Sequence, residues 1–154
     1  MSQRVTADSW GRAVHNHVRG MSRAIEVAAV ETCAQATGEL VARTDAAGLV
    51  DEGEYRNGWS FQRITGGAEV GNDAPHADAI EHGRRPYRPG PPIEPIRRWV
   101  ERKIQPPADQ LEQIAWRVRN AIHRRGSPPR LIFASYQPRL KQLFEANLRR
   151  RLRR

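Results

Sequence analysis

The residues best equipped for chemistry in this chain are five histidines, one cysteine and a few serines. Their spacing decides what they can do together. Metal binding or general acid–base work would centre on His76-Ala-Asp-Ala-Ile-Glu-His82, but its histidines are six apart and lack the HExxH order that puts two ligands and a base on one helix face. His15 and His17, two apart, fall on different faces of a helix and do not chelate jointly there. Both His76 and His82 therefore read as surface or interface residues. Ser60, Ser127 and Ser135 have no GxSxG or SxxK context, and no glycine-rich phosphate loop precedes a Lys-Ser/Thr pair. Cys33, the single cysteine, excludes an intramolecular disulfide and a thiolate zinc cluster. It reads as a small buried apolar residue on a helix. The expectation is no enzyme, no metal and no cofactor; a toxin or nuclease-like reading would have to rest on His76, Glu81 and His82.

Charge is more informative. The formal net charge is +9 over 154 residues, but it is unevenly placed. From Arg117 onward there are twelve Lys and Arg against the single acid Glu145, whereas residues 1–116 hold fourteen basic and sixteen acidic residues. A basic C-terminal third is suited to phosphates or an acidic partner; the plainer reading is a solvated tail. The arginines fit no helix-turn-helix, zinc-finger or basic-zipper frame and do not alternate with aromatics, so sequence-specific readout is not expected. No apolar run approaches the roughly 18–20 residues of a membrane span, and MSQRVTADSW lacks the apolar middle of a signal peptide. The expectation is a soluble chain, not secreted by that route. Hydrophobic residues make up only 38% and mean hydropathy is −0.74, so much of the chain must lie outside a core.

The elements that would position these residues follow from periodicity. Val14, Val18, Met21, Ile25, Ala28 and Thr32 recur at three and four, which predicts a helix over 8–45, with Asp8 or Ser9 as its cap and a possible break near Gly20. The region 53–73 reads as a β-hairpin, with Trp59, Phe61 and Ile64 alternating imperfectly, Gly66-Gly67 at the turn, and strands near 57–65 and 68–72. Pro75 to His82 forms a short helix ended by Gly83. The run RRPYRPGPP, residues 84–92, is expected to be an extended, polyproline-like arm. Residues 93–125 carry two helices, one from Ile93 to Pro106-Pro107, the next from Asp109 to Arg125 and capped by Gly126. A basic helix and tail fill 138–154, with Leu140, Phe144, Leu148 and Leu152 at spacings of four. Trp99, Ile96, Val100, Leu111, Ile114 and Val118 are expected in the core. One domain results, of α+β class: a small antiparallel β-sheet packed by the long N-terminal helix and the C-terminal helices, with the Pro/Arg-rich arm loop.

The order GEYRNGWSF, AEVGNDAPHADAIEHGRRP, PPIEPIRRWVERK and AWRVRNAIHRRGSPPR, followed by a closing helix, resembles the family of HK-ninety-seven-type phage tail components. These are small tail-completion or neck proteins of tailed double-stranded-DNA phages. The likeness spans about residues 38–150 and rests on five motifs in sequence: Gly53 to Ser60, Val70 to Gly83, Pro91-Pro92, Ile96 to Val100, and Ile114 to Arg130. His76 stands where the family has an aromatic, Tyr55 where it has Leu, and Leu131-Ile132-Phe133 where it has Pro-Phe.

The resemblance implies a structural virion protein of a tailed phage, assembled in the host cytoplasm. It would form a homo-oligomeric ring, most simply a hexamer, at the head–tail junction, through which genomic double-stranded DNA passes. Its neighbours would be neck, tail-terminator or tail-tube proteins, with no membrane contact. A minor tail or tail-terminator protein is the near alternative, and a non-specific basic DNA-binding protein the alternative of another class. Glu81, Arg84, Arg85, Tyr87 and Arg88 are then the expected partner contacts, unless that loop is only a solvated connector. Arg149, Arg150, Arg151, Arg153 and Arg154 are expected to face DNA or an acidic neighbour.

Overall fold

The computed structural model describes residues 7–49 and 53–153, with side chains from residue 10 onward. Its elements are α1 (Ala7–Ala46), α2 (Glu54–Asn57), β1 (Trp59–Ile64), β2 (Gly67–Asn72), α3 (Ala77–His82), α4 (Ile93–Lys103), α5 (Leu111–Arg125) and, after a 3-10 turn at Ala134–Tyr136, α6 (Gln137–Leu152). The class is mixed α+β, with β1 and β2 antiparallel. The break near Gly20 does not occur. A glycine costs a helix about 1 kcal/mol, less than stranding the backbone groups on both sides of an interruption. The expected caps, Asp8 and Ser9, lie outside the described side chains. The hairpin turn is Thr65-Gly66, because Gly67 already pairs with Ile64; only Gly66 of the two glycines needs a positive φ, 80°.

The larger of two cores lies where the C-terminal half of α1 meets α6 and the hairpin. Ala36, Leu40, Tyr55, Trp59, Ile132, Tyr136 and Leu143 form it. Two buried polar bridges set its register. The Trp59 indole N–H donates to the Thr44 hydroxyl at 2.9 Å, which donates to the Leu40 carbonyl at 2.9 Å. Asn147 on α6 donates to the Thr32 hydroxyl at 3.0 Å and the Gln35 amide oxygen at 3.1 Å. On α6 the buried residues are Leu143 and Asn147, following Tyr136 in the preceding turn, not the expected line from Leu140 to Leu152, and Leu152 is 55% exposed. Each four-residue step overshoots a full turn by about 40°, so a strict spacing of four spirals off the contact.

A second, smaller core belongs to the pair α4–α5. Ile96, Val100 and Ala115 are buried there, with Ile93, Leu111, Ile114, Val118 and Ile122 packed around them. Trp99, expected in the core, is 37% exposed. Two helices facing each other cover one stripe on each, and Trp99 lies one step off the Ile93–Ile96–Val100 stripe.

Backbone hydrogen bonds join the lobes. Arg84 and Ser127 form an antiparallel bridge, N–H to carbonyl both ways at 3.0 and 2.9 Å. Arg130 N–H bonds the Ile80 carbonyl at 2.9 Å and Leu131 N–H the Glu81 carbonyl at 3.2 Å. Gly83 and Gly126, at φ 73° and 72°, sit beside this bridge, and a Cβ on Gly126 would collide with the Arg84 carbonyl oxygen.

Two substitutions report on these joints. Thr44→Val keeps the volume but leaves the buried Trp59 N–H without an acceptor, so chemical unfolding should show a loss of about 1–3 kcal/mol. Gly126→Ala combines a left-handed backbone with a steric clash and should cost a similar 1–3 kcal/mol. Amide exchange should quicken at Arg84 and Ser127 and remain slow in the interior of α1.

Candidate partner interface

The residues expected to grip a neighbour are held in an unexpected way. Glu81, at the end of α3, spends its carboxylate inside the chain. It accepts from the backbone N–H of Phe133 at 3.1 Å and of Ala134 at 2.8 Å, so it caps the start of the 3-10 turn that leads into α6. Burial helps push the Tyr55 hydroxyl up to about 12, with the Glu81 charge adding to it.

The loop 84–92 is not a free polyproline arm either. Tyr87 takes φ 60°, which turns the chain back onto α5. The Tyr87 N–H bonds the His123 carbonyl at 2.7 Å, and His123 Nδ1–H donates to the Arg88 carbonyl at 2.9 Å. The Tyr87 ring meets the His123 imidazole edge-on at 5.9 Å. Arg84 donates to the Pro89 carbonyl at 3.2 Å, and Arg119 to the Pro91 carbonyl at 3.1 Å. The backbone is thus fixed while the Arg85, Tyr87 and Arg88 side chains remain exposed, Tyr87 at 75%. A rigid backbone with outward side chains loses little entropy when it docks.

The C-terminal arginines divide into two groups. Arg150 reaches Glu31 on α1 at 3.0 Å, and Arg151 pairs with the same carboxylate. Hydrogen bonding from Arg151, more than Arg150, holds the Glu31 carboxyl below its usual value against the opposing effect of burial. About three turns earlier in α6, Arg139 grips Glu39 with two bonds of 3.0 and 2.9 Å, and the Tyr136 hydroxyl donates to it at 3.0 Å. The Glu39 carboxyl is depressed chiefly by the Arg139 hydrogen bond. Arg149 makes a long contact of 3.5 Å to Glu145 within α6, and Arg153 is exposed beyond the helix. Arg154 lies outside the described residues. Arg150 and Arg151 therefore lock α6 to α1, and Arg149 and Arg153 form the outward basic end.

The chemistry-bearing residues do not converge. His76 Nδ1 lies 3.7 Å from Glu54, while His82 Nδ1–H donates to Asp78 at 2.9 Å. Ser60 donates to Asp73 at 3.3 Å, and Ser135 accepts from Arg43 at 2.7 Å. Among the described residues no three His, Cys, Asp or Glu side chains cluster as metal ligands. No helix among them is long and apolar enough to cross a membrane.

What sequence reasoning missed is the exposed apolar surface. Trp116 is 46% exposed with the Arg119 guanidinium 5.1 Å above its ring. A groove of about 200 Å³ opens beside α3, walled by Tyr55, Trp59, Val70 and Phe133. On α1, every side chain from Trp10 to Arg23 is exposed. The Trp116–Arg119 pair, at i and i+3, was legible as a helix-surface contact; the groove, assembled from four elements, was not. Set against family models, curated proteins and solved structures, the chain finds no match.

The paired carboxylates make a pH prediction. Both Glu31 and Glu39 have folded values below their unfolded one. Their stabilisation is complete above about pH 4.5 and is lost as the pH falls through the depressed folded values. Wild-type stability should fall in that acid range, with a shallower fall in Glu31→Gln. The variant should be weaker than wild type at neutral pH and converge with it in acid, as followed by thermal unfolding monitored by circular dichroism.

Proposed function

We propose that this protein is a non-enzymatic structural component of a tailed-phage virion, acting as a tail-completion or neck subunit at the head–tail junction. The reading has it repeat around a closed ring, most simply a hexamer, through which the double-stranded genome passes. Neck, tail-terminator or tail-tube proteins lie above and below. The class comes from the five ordered motifs between Gly53 and Arg130. In the fold they fall on consecutive elements: α2 and β1, β2 and α3, the tied loop, α4, and α5 with the segment after it.

The observation that carries the reading is surface. A compact monomer of this mass should expose about 7,900 Å², whereas the chain exposes 11252 Å². The excess of about two-fifths is the scale of several standard contact faces, at roughly 800 Å² each. A subunit that completes itself against neighbours has this character. The rigid loop carrying Arg85, Tyr87 and Arg88 suits a contact within or between rings, where guanidinium–carboxylate pairs and a docking tyrosine set register. Glu81 is assigned to folding, not to the partner. Arg149 and Arg153 are the groups left to meet DNA phosphates or an acidic neighbour, while Arg150 and Arg151 hold α6.

Electron microscopy of a phage lysate with this gene disrupted, then complemented, is the decisive test. Filled heads apart from finished or overlong tails, rejoined on complementation, are expected. Normally joined particles in the disrupted lysate would overturn the assignment and bring non-specific DNA binding forward.

A further inference from the structure

From Trp10 to Ile25, α1 carries the spacing of a coiled-coil seam that no other described element covers. Val14, Val18, Met21, Ile25, Ala28 and Thr32 follow in steps of four, three, four, three and four, a heptad spacing of the kind by which helices pack knobs into holes. From Thr32 onward this stripe is already a helix–helix interface. Ala36 and Leu40 are buried, and Asn147 of α6 bonds Thr32 at 3.0 Å. α6 ends at Leu152, one residue past Arg151, which pairs with Glu31. Beyond that point the stripe continues uncovered: Val14 is 40% exposed, Val18 55%, Met21 42% and Ile25 39%, with Trp10 beside it at 65%. The exposed run Trp10–Arg23 also contains Gly11 and Gly20, each costing a helix about 1 kcal/mol.

We propose that this stretch packs against the same stretch of a second copy of the chain, in antiparallel register. The flanks of the seam choose the occupant. His15 and Ser22 border it on one side and His17 and Ala24 on the other, so the rims carry no Arg, Lys, Asp or Glu. An acidic helix would find no cation there. Arg12, Arg19 and Arg23 lie on the opposite face by helical spacing, away from the apolar boundary where a membrane-lying helix needs them. An apolar helix with uncharged rims is what fits, and α1 supplies one.

The position of α6 chooses the orientation. In a parallel pair the partner's body would meet the end of α6 on the same stripe. In an antiparallel pair the two bodies lie at opposite ends, Val14 of one copy lies across from Ile25 of the other, and Val18 across from Met21. This contact goes beyond the phage reading and does not depend on it, since it follows from the free stripe alone.

The test is sedimentation equilibrium on the full-length chain, wild type beside Val18→Glu in the seam and Arg19→Glu on the far face. Val18 is exposed in the monomer, so unchanged circular dichroism and melting will show that the lobes stay folded. Wild type and Arg19→Glu should self-associate, and Val18→Glu should weaken that association at least tenfold. Oxidative cross-linking then reads the register, Cys33 being buried. A mixture of Val14→Cys and Ile25→Cys should cross-link, but Val14→Cys alone should not, because its two copies would be about 16 Å apart along the axis.

A wild type that stays monomeric, or association untouched by Val18→Glu, overturns the proposal. Monomers that bind anionic phosphatidylserine vesicles through Val18 would assign the stripe to a membrane surface instead. If Val18→Glu still forms rings through other faces, the seam falls while the lysate experiment still decides the virion role.

Discussion

The larger lobe depends on the antiparallel seam between the C-terminal half of α1 and α6. Apolar burial supplies most of its drive, through Leu40, Tyr136 and Leu143, but burial alone is not directional. Register comes from polar groups whose partners lie at fixed positions on the facing helix. Asn147 fits Thr32 and Gln35, Arg139 fits Glu39 with two parallel bonds, and Arg151 fits Glu31. A slip of one turn would leave the buried Asn147 side-chain N–H without its acceptors on α1, which costs more than the bonds themselves contribute.

The hairpin and α3 are positioned by that seam. Two strands are marginally stable alone, so β1 has to be fastened to α1, and the Trp59 indole does this at Thr44. Glu81 then ties the end of α3 to the segment leading into α6. The second lobe has its own small core and is connected to the first by a few backbone bonds around Arg84 and Ser127. This gives two separately packed units with a hydrogen-bonded loop between them.

The same long helix therefore has two roles. Its C-terminal half builds the fold, and its N-terminal half leaves an apolar stripe exposed. Exposed apolar groups lie on the free half of α1, at Trp99 and Trp116, and on the loop at Tyr87. An ordinary core would have absorbed such residues. Here only one stripe of each helix faces a partner element, and the rest stays outside.

By itself the sequence determined the local elements. Periods of three and four, prolines at helix starts, glycines after helix ends and the turn near Gly66 are short-range signals, acting over a few residues. They placed the long helix, the hairpin, α4, α5 and α6 to within one to three residues. What only the tertiary structure decided are pairings between distant parts of the chain. Arg150 and Arg151 read as free cations until α6 lies against Glu31. Glu81 reads as a surface acid until Phe133 and Ala134, more than fifty residues on, present their N–H groups. Trp99 reads as core until α5 proves to cover the neighbouring stripe. Whether a charge is paired or an apolar side chain covered depends on which surfaces meet, and periodicity specifies faces without specifying their partners.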